Sequence, residues 1–456
     1  MLHRDGRRPG CWVATLAAIC TLFMGSGAGA AGSGTAKVRP LLIEISGIPT
    51  LTFPPSTSYC LQNFGIHCYQ PAQFAQAYNL IPLHSAGIDG FGQTIVIVDS
   101  FGSPTIQNDL KVFDQQFGLP DPPSLTIIQP AGAVPPFDPN NSDMVGWAQE
   151  TTLDVEWAHV FAPGAAIVLV ETPVSETEGV QGFPEIVKAE NYVIDHDLGD
   201  VISQSFGATE ETFPSPLSIF ALRGAFKNAA RHHVTVLGAS GDDGATDFQL
   251  NLSDLYTKRV NSWPSSDPLV TSVGGTMLTL DDAGTRLKPD VVWNDGSGAG
   301  GGGVSAVFER PEFQDRVRHV VGSARGTPDI SMSAACDGAV VFYYSFVPGR
   351  VGYHLVCGTS EATPEFAGIV AMADQLAGRR LGHLGERLYE LHKRSLVDVT
   401  QGNNSFGPFT NSDGNTYLVV GYDAGPGYDL ASGLGTLDAS KFVRALARDR
   451  DDDDDD

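Results

Sequence analysis

The chain has 456 residues, with 28 Lys and Arg against 53 Asp and Glu and a formal net charge of −25. Hydrophobic residues make up 42 %, and Gly and Pro number 52 and 29, so a large core joined by many loops is expected and wholesale disorder is excluded. So acidic a chain disfavours nucleic acid and anionic membranes as partners, and its self-repulsion eases as carboxylates take up protons, which suits an acidic working pH.

At the N-terminus, Arg4, Arg7 and Arg8 precede an apolar run from Cys11 to Met24, and small residues end in Ala28-Gly29-Ala30. This is the pattern of a secretory signal peptide over 1–30, cleaved after Ala30. The run is shorter than the ~20 residues that span a bilayer. Secretion is therefore expected, with no membrane association after cleavage, and loss of three Arg and one Asp would leave a net charge of −27. Four cysteines would remain in an oxidising compartment: Cys60, Cys68, Cys336 and Cys357. Of three possible pairings the local ones, Cys60–Cys68 and Cys336–Cys357, are favoured, because the segment containing Ala339–Tyr344 reads as a hairpin that brings its ends together.

Residues 31–70 read as an N-terminal extension, small-residue and Pro-rich as far as Ser58, too short to hold a long pro-domain. The main domain is expected over 71–447, opening with a short amphipathic helix at 72–78. Residues 448–456, with Asp451–Asp456, read as a solvated, disordered acidic tail. Within the domain, 92–99, 165–170, 201–202, 234–237 and 269–273 are short apolar strands. Helical patterns lie between them, at 184–196 and 216–233. Continuous apolar strands alternating with helices predict an α/β fold, a doubly wound, mainly parallel sheet with helices on both faces and functional loops at the carboxyl ends of its strands. Gly296–Gly303 reads as a flexible active-site loop, since no phosphate-cradling helix succeeds it.

Ser360 stands in Gly358-Thr-Ser-Glu-Ala-Thr-Pro-Glu-Phe-Ala-Gly-Ile-Val-Ala371, immediately before a helical stretch. A hydroxyl there lies beside free backbone N–H groups, although most serines so placed are ordinary helix caps. Pro364 falls within about the first turn, and the small Ala367, Gly368 and Ala371 allow the helix to lie close inside the layers. Gly-Thr-Ser-x-Ala-x-Pro leading into a small-residue helix resembles the nucleophile motif of subtilisin-like peptidases. Asp99 closes an early strand, as a subtilisin's Asp would, but no histidine precedes a Gly-Thr pair. His159 and the pair His232-His233 lie in helical surroundings without that context.

Glu150 and Asp154 instead share one face of a helix ending at Pro163, with Glu156 off that face. Alone, such a pair is most often a solvated acidic face; close together, two carboxyls couple their titration and act as a base in acid, where histidine would be protonated. Glu150-x-x-x-Asp154-x-Glu-Trp-x-x-x-x-Ala-Pro-Gly164 together with Ser360 resembles the sedolisins, the serine-carboxyl peptidases. The resemblance implies Ser360 as nucleophile, Glu150 as general base, Asp154 as its support and protonated Asp242 in the oxyanion hole. Asp243 is the rival of Asp242 by adjacency, and a plain Gly-Asp turn suits either. Ser203-Gln-Ser-Phe-Gly207 with Glu210, Gly301–Ser305 with Phe308–Pro311, and Pro328-Asp-Ile-Ser331 also resemble family segments, Phe206 standing where Trp is usual. The resemblance extends to one structural calcium ion held by side chains of Asp398 and Asp429 and carbonyls of Val399, Gly425 and Gly427, hard oxygen donors of the kind calcium prefers. The resemblance and the composition together imply a secreted, monomeric serine-type endopeptidase acting on proteins or peptides at pH ~3–4.5. A neutral subtilisin-type peptidase and a non-catalytic secreted binding protein on the same fold are the alternatives.

Overall fold

The computed structural model describes residues 39–174, 182–391 and 395–448; residues 1–30 and the tail from 449 lie outside the described residues. In chain order, β1 (Arg39–Pro40) and β2 (Ile43–Glu44) precede β3 (Thr94–Ser100), β4 (Leu125–Ile128) and helix α1 (Ser142–Phe161). Next come β5 (Ala166–Thr172), α2 (Phe183–Asp195), β6 (Val201–Gln204), β7 (Phe206–Thr209), α3 (Gly224–His232) and β8 (Thr235–Ala239). After them stand β9 (Thr271–Met277), β10 (Val291–Val292), β11 (Ile330–Ser333), β12 (Ala339–Tyr344), β13 (Gly352–Cys357) and α4 (Thr359–Ala377).

The central sheet runs β10-β9-β8-β6-β3-β5-β4, with β11 also paired to β9. Each pairing is parallel except that of β9 with the short edge strand β10. Strand β3 shows what its unbroken apolar run does. Ile95 and Ile97 join the core that contains α1 and α4, while Val96 and Val98 join the one that contains α2 and α3. Both faces are covered, so no polar residue is tolerated until the carboxyl end, where Asp99 and Ser100 stand. The doubly wound α/β fold is the one expected. The 216–233 pattern is two helices, Pro216–Leu222 and α3, meeting at Arg223.

Helix α1 is buried on all sides from Trp147 to Phe161, and α4 from Thr359 to Asp374. Their backbones lie against one another at Gly368, where a Cβ would sit 2.5 Å from that of Phe161; only glycine fits so close an approach. Pro364 lies deeper than the first turn, as the sixth residue of α4. Its missing N–H frees the Ser360 carbonyl, four residues back, and that carbonyl accepts a hydrogen bond from Ser205 Oγ at 3.4 Å.

Two expectations change. Residues 39–70, expected as an extension ahead of the domain, are folded into it. Leu41, Cys60, Cys68 and Tyr69 are fully buried, a helix spans Thr57–Asn63 with Ser56 Oγ accepting from Tyr59 N, and Cys60 is bonded to Cys68. The apolar residues are too irregularly spaced among the prolines to announce this. Gly298–Gly303 is buried rather than a free loop. A Cβ on Gly301 would lie 2.1 Å from the Ser240 carbonyl, and one on Gly302 2.3 Å from that of Leu430. The glycines serve close packing against the loop after β8, not flexibility. Cys336–Cys357 forms as favoured, closing the antiparallel β12–β13 hairpin.

Candidate active site

Glu150 and Asp154 lie one turn apart on α1, fully buried, and Asp99 at the end of β3 is the third carboxyl of the group. Burial first, then Asp154 and Asp99, push Glu150 well above the usual carboxyl range; burial and Asp99 do the same to Asp154. Asp99 is pushed up to about 7, chiefly by burial. The arrangement favours proton sharing over full ionisation. Ser205 Oγ donates to Asp154 Oδ1 at 2.7 Å, which fixes the inner carboxyl. Both oxygens of Glu150 and Asp154 Oδ2 have no hydrogen-bond partner among the described residues. Ser360, at the start of α4, lies close enough to Glu150 to oppose part of its shift, but its hydroxyl donates to the carbonyl of Leu41.

Asp242 comes just after β8 and faces the same point. Its Oδ1 accepts the backbone N–H and the hydroxyl of Thr359, both at 2.8 Å, while Oδ2 has no partner among the described residues. Burial raises Asp242 to about 7 against the pull of the Thr359 bonds, so in acid it is neutral and its free oxygen is the one able to carry a donatable proton. Gly358 explains the room available. A Cβ there would lie 2.5 Å from the Leu41 carbonyl oxygen, 2.7 Å from Asp242 Oδ2 and 3.1 Å from Ser360 Oγ. Three polar atoms thus converge where any side chain would stand, and the φ of +134° at Gly358 favours glycine independently.

Asp243, the rival of Asp242, is turned elsewhere. It pairs with Arg39 Nη2 at 3.0 Å, and Asp247 meets the same atom at 2.5 Å. His159 is held by the Pro120 carbonyl at 2.7 Å beside Asp114, and burial lowers it to about 4. His232 ends α3 and His233 caps it. Glu210 ties β7's end to the 303–309 strand, accepting from Ser305 Oγ at 2.6 Å and Ala306 N at 2.7 Å. Asp329 is a structural anchor paired with buried Arg325. Sequence reasoning gives neither Ser205 its partner nor Thr359 its role toward Asp242; both stand inside motifs that point to their neighbours. Asp99, the acid that the rival subtilisin reading would use, lies with the Glu150–Asp154 pair.

Near the C-terminus the expected calcium residues come together. Gly427 N donates to Asp398 Oδ2 and Gly425 N to Asp429 Oδ2, both at 2.9 Å, and Ser432 Oγ reaches the Val399 carbonyl at 3.4 Å. Two carboxylates and glycine-loop carbonyls make an oxygen-only donor set that fits a hard cation. Among the described residues no group of three or more His, Cys, Asp or Glu side chains is placed to hold a metal.

A serine hydroxyl at a buried helix start, a cluster of buried carboxyls beside it and an aspartic acid facing the same point make up the site. The family model described as "Subtilase family" matches residues 141–390, more than half of the chain. Over 387 residues the chain is 33 % identical to kumamolisin of Bacillus sp. (strain MN-32), covering 83 % of this chain and 63 % of that protein. It is 32 % identical over 278 residues to sedolisin of Pseudomonas sp. (strain 101), covering 58 % and 44 %. A solved structure of Pseudomonas sedolisin, a serine-carboxyl proteinase complexed with two molecules of pseudo-iodotyrostatin, matches with a TM-score of 0.68 at 26 % identity, over 84 % of this chain and 98 % of that one. The chain thus belongs to the subtilase family. Within it, it is a member of the sedolisins, the serine-carboxyl peptidases, and spans less than two thirds of the length of the two curated relatives named.

Proposed function

We propose that the chain is a secreted, acid-acting serine endopeptidase that hydrolyses proteins or peptides through an acyl-enzyme on Ser360. The observation that carries this reading is the convergence of Ser360 Oγ and the free oxygen of Asp242 on one carbonyl-sized space, beside the buried Glu150–Asp154 pair. Glu150 takes the Ser360 proton as the hydroxyl attacks the substrate carbonyl carbon. Asp154, held by Ser205, shares the resulting proton load. The developing oxyanion receives hydrogen bonds from the Ser360 backbone N–H and from protonated Asp242, a preorganised pair of donors in a dry site. Glu150 then returns the proton to the leaving amine, and water hydrolyses the ester by the same route in reverse.

Acid favours this machinery on two counts. Asp242 donates only when protonated, and a carboxyl base remains usable where an imidazole would be charged. The contacts of His159, His232 and His233 lie away from Ser360, which weighs against a neutral subtilisin mechanism. Export rests on the 1–30 pattern, and a monomer is the simplest state. One calcium ion bound by Asp398, Val399, Gly425, Gly427 and Asp429 would tie two C-terminal loops together and supply rigidity rather than chemistry. The deciding experiment is a pH–activity profile on denatured protein, wild type beside Ser360→Ala. A maximum in acid, absent from the variant, supports the reading; a maximum near neutrality overturns it.

A further inference from the structure

Two carboxyls stand on α4 immediately behind Ser360 and take no part in its proton transfers. Glu361 is the third residue of the helix and Glu365 follows one turn later, so the two share a face. Both are fully buried. None of their four carboxyl oxygens has a hydrogen-bond partner among the described residues.

The groups that face the pair are hydroxyls and further acids. Burial, with Asp242 from the loop after β8 adding to it, pushes Glu361 well above the usual carboxyl range. Ser333, at the end of β11, lies close enough to oppose part of that shift, and Thr276 stands opposite Ser333 on β9. The hydroxyls of Ser333 and Thr276 also lack a partner among the described residues. Burial and then Glu361 push Glu365 up in the same way. Beyond burial, the phenols of Tyr69 and Tyr78 are raised by Glu361 and Glu365 respectively, among other acids, and the Tyr78 hydroxyl accepts from Ser333 N at 2.7 Å. Arg286 lies beyond, its guanidinium 5.2 Å from the Tyr78 ring centroid, and it is already paired with Asp290 at 2.9 Å. Two acids so close and so dry share protons rather than ionise together.

On a surface helix a carboxylate in the first turn is welcome, because it answers the positive end of the helix dipole. Here that end faces the carbonyl-sized space shared by Ser360 Oγ and Asp242 Oδ2. A negative charge on Glu361, one residue from Ser360 in a dry core, would draw on the same field and repel an oxyanion formed there. We propose that Glu361 and Glu365 are positioning residues of the oxyanion site: the pair must stay neutral for the oxyanion to form, and its ionisation stops Ser360 chemistry while the fold persists. This rests on the peptidase reading above. Neither side chain touches substrate; both act through the field at the start of α4, and they add a second proton requirement to that of Asp242.

The test first removes the Asp242 titration. In Asp242→Asn, a permanent donor, kcat for a peptide without ionisable side chains is followed from pH 4 to pH 9, with circular dichroism on the same samples. The profile is repeated with Glu361→Gln and Glu365→Gln added singly and together. The expected result is an alkaline fall in Asp242→Asn at constant dichroism, reversed on return to pH 4, which moves up by about one pH unit or more when both glutamines are present. Glu365→Gln alone should move it less than Glu361→Gln alone, its carboxyl being one turn further from Ser360. Independently, in Ser360→Ala at pH 6 the infrared band of protonated carboxyl groups should lose intensity on Glu361→Gln/Glu365→Gln. A limb that stays in place while only the melting temperature drops would assign the pair a purely structural role and overturn the proposal. A fall that tracks loss of dichroism, or an unchanged infrared band, overturns it as well. Wild type that cleaves the peptide at no pH overturns the peptidase reading instead.

Discussion

Thr359 gives both its backbone N–H and its hydroxyl to one oxygen of Asp242, each at 2.8 Å. Those two bonds choose which carboxyl oxygen keeps the proton. With Oδ1 engaged as an acceptor, protonation falls on Oδ2, the atom facing the carbonyl space at Gly358. Because burial raises Asp242 to about 7, its donor form persists through acid and is lost as pH rises through that value. Asp242→Asn, a permanent donor, should carry activity to higher pH than wild type, and Asp242→Ala should lose ~10²–10³ in kcat. The check is the alkaline limb of kcat/KM against pH; an Asn variant with an unmoved limb would show that the Asp242 proton does not set it.

The Glu150–Asp154 pair should behave as a unit. Glu150→Ala is expected to lower kcat by ~10²–10⁴, the usual worth of a positioned base, with circular dichroism unchanged. Asp154→Asn should lower kcat less and disturb the acid limb, since one member of a coupled pair is lost. A Glu150→Ala enzyme with near wild-type turnover would remove the proposed base.

Several carboxyls away from the site are buried, and their stability contribution has a definite sign. Burial raises Glu190 and Asp374 to about 8 each, so the folded chain holds protons that the unfolded chain releases near pH 4. Their contribution is whole below the unfolded pKa and falls as pH rises from about 4 to about 8, by ~1.4 kcal/mol per pH unit for each group. Calorimetry on Ser360→Ala, which avoids self-digestion, should find the melting temperature highest in acid. Glu190→Gln should flatten the decline, and a profile rising toward neutrality would contradict the assignment.

Gly358→Ala separates folding from catalysis. Its methyl would intrude on the meeting point of Ser360, Asp242 and the bound carbonyl, and the positive φ adds strain of about 1–3 kcal/mol. Activity should vanish while the melting temperature drops by only a few degrees. Full activity in this variant would mean that the reacting carbonyl lies elsewhere.

Calcium can be tested by removal. A chelator, or Asp398→Ala, should lower the melting temperature, and added calcium should restore the chelated sample. Indifference to both treatments would leave the 398–429 loops as a purely hydrogen-bonded structure.

Much of the scaffold is legible in the sequence because it depends on local pattern. Strand β3 announces itself as an unbroken apolar run ending in a carboxylate, and α1 as a helix bearing two carboxyls at the spacing of one turn. The Ser360 and Glu150 motifs name their residues outright. Relationships between residues distant in the chain, such as Ser205 against Asp154 or Thr359 against Asp242, 51 and 117 positions apart, leave no such local mark. The glycines at 298–302 mislead for a physical reason: composition reads them as freedom, but Gly300, Gly301 and Gly302 each remove a side chain so that two backbones can touch, and Gly298 makes room for the Trp293 ring. Likewise the prolines around Pro40 suggest a loose arm, while the extended backbone there is paired as β1 with β7.

The contact at Gly368 has a consequence for how this chain fails. Because α4 presses its backbone on α1 there, Ser360 and Glu150, the proposed nucleophile and base, are borne by two helices in the middle of the core rather than on loops at its rim. Heat cannot loosen one without opening the other, so no partly softened, inactive intermediate should accumulate. Loss of turnover and loss of fold should trace a single curve.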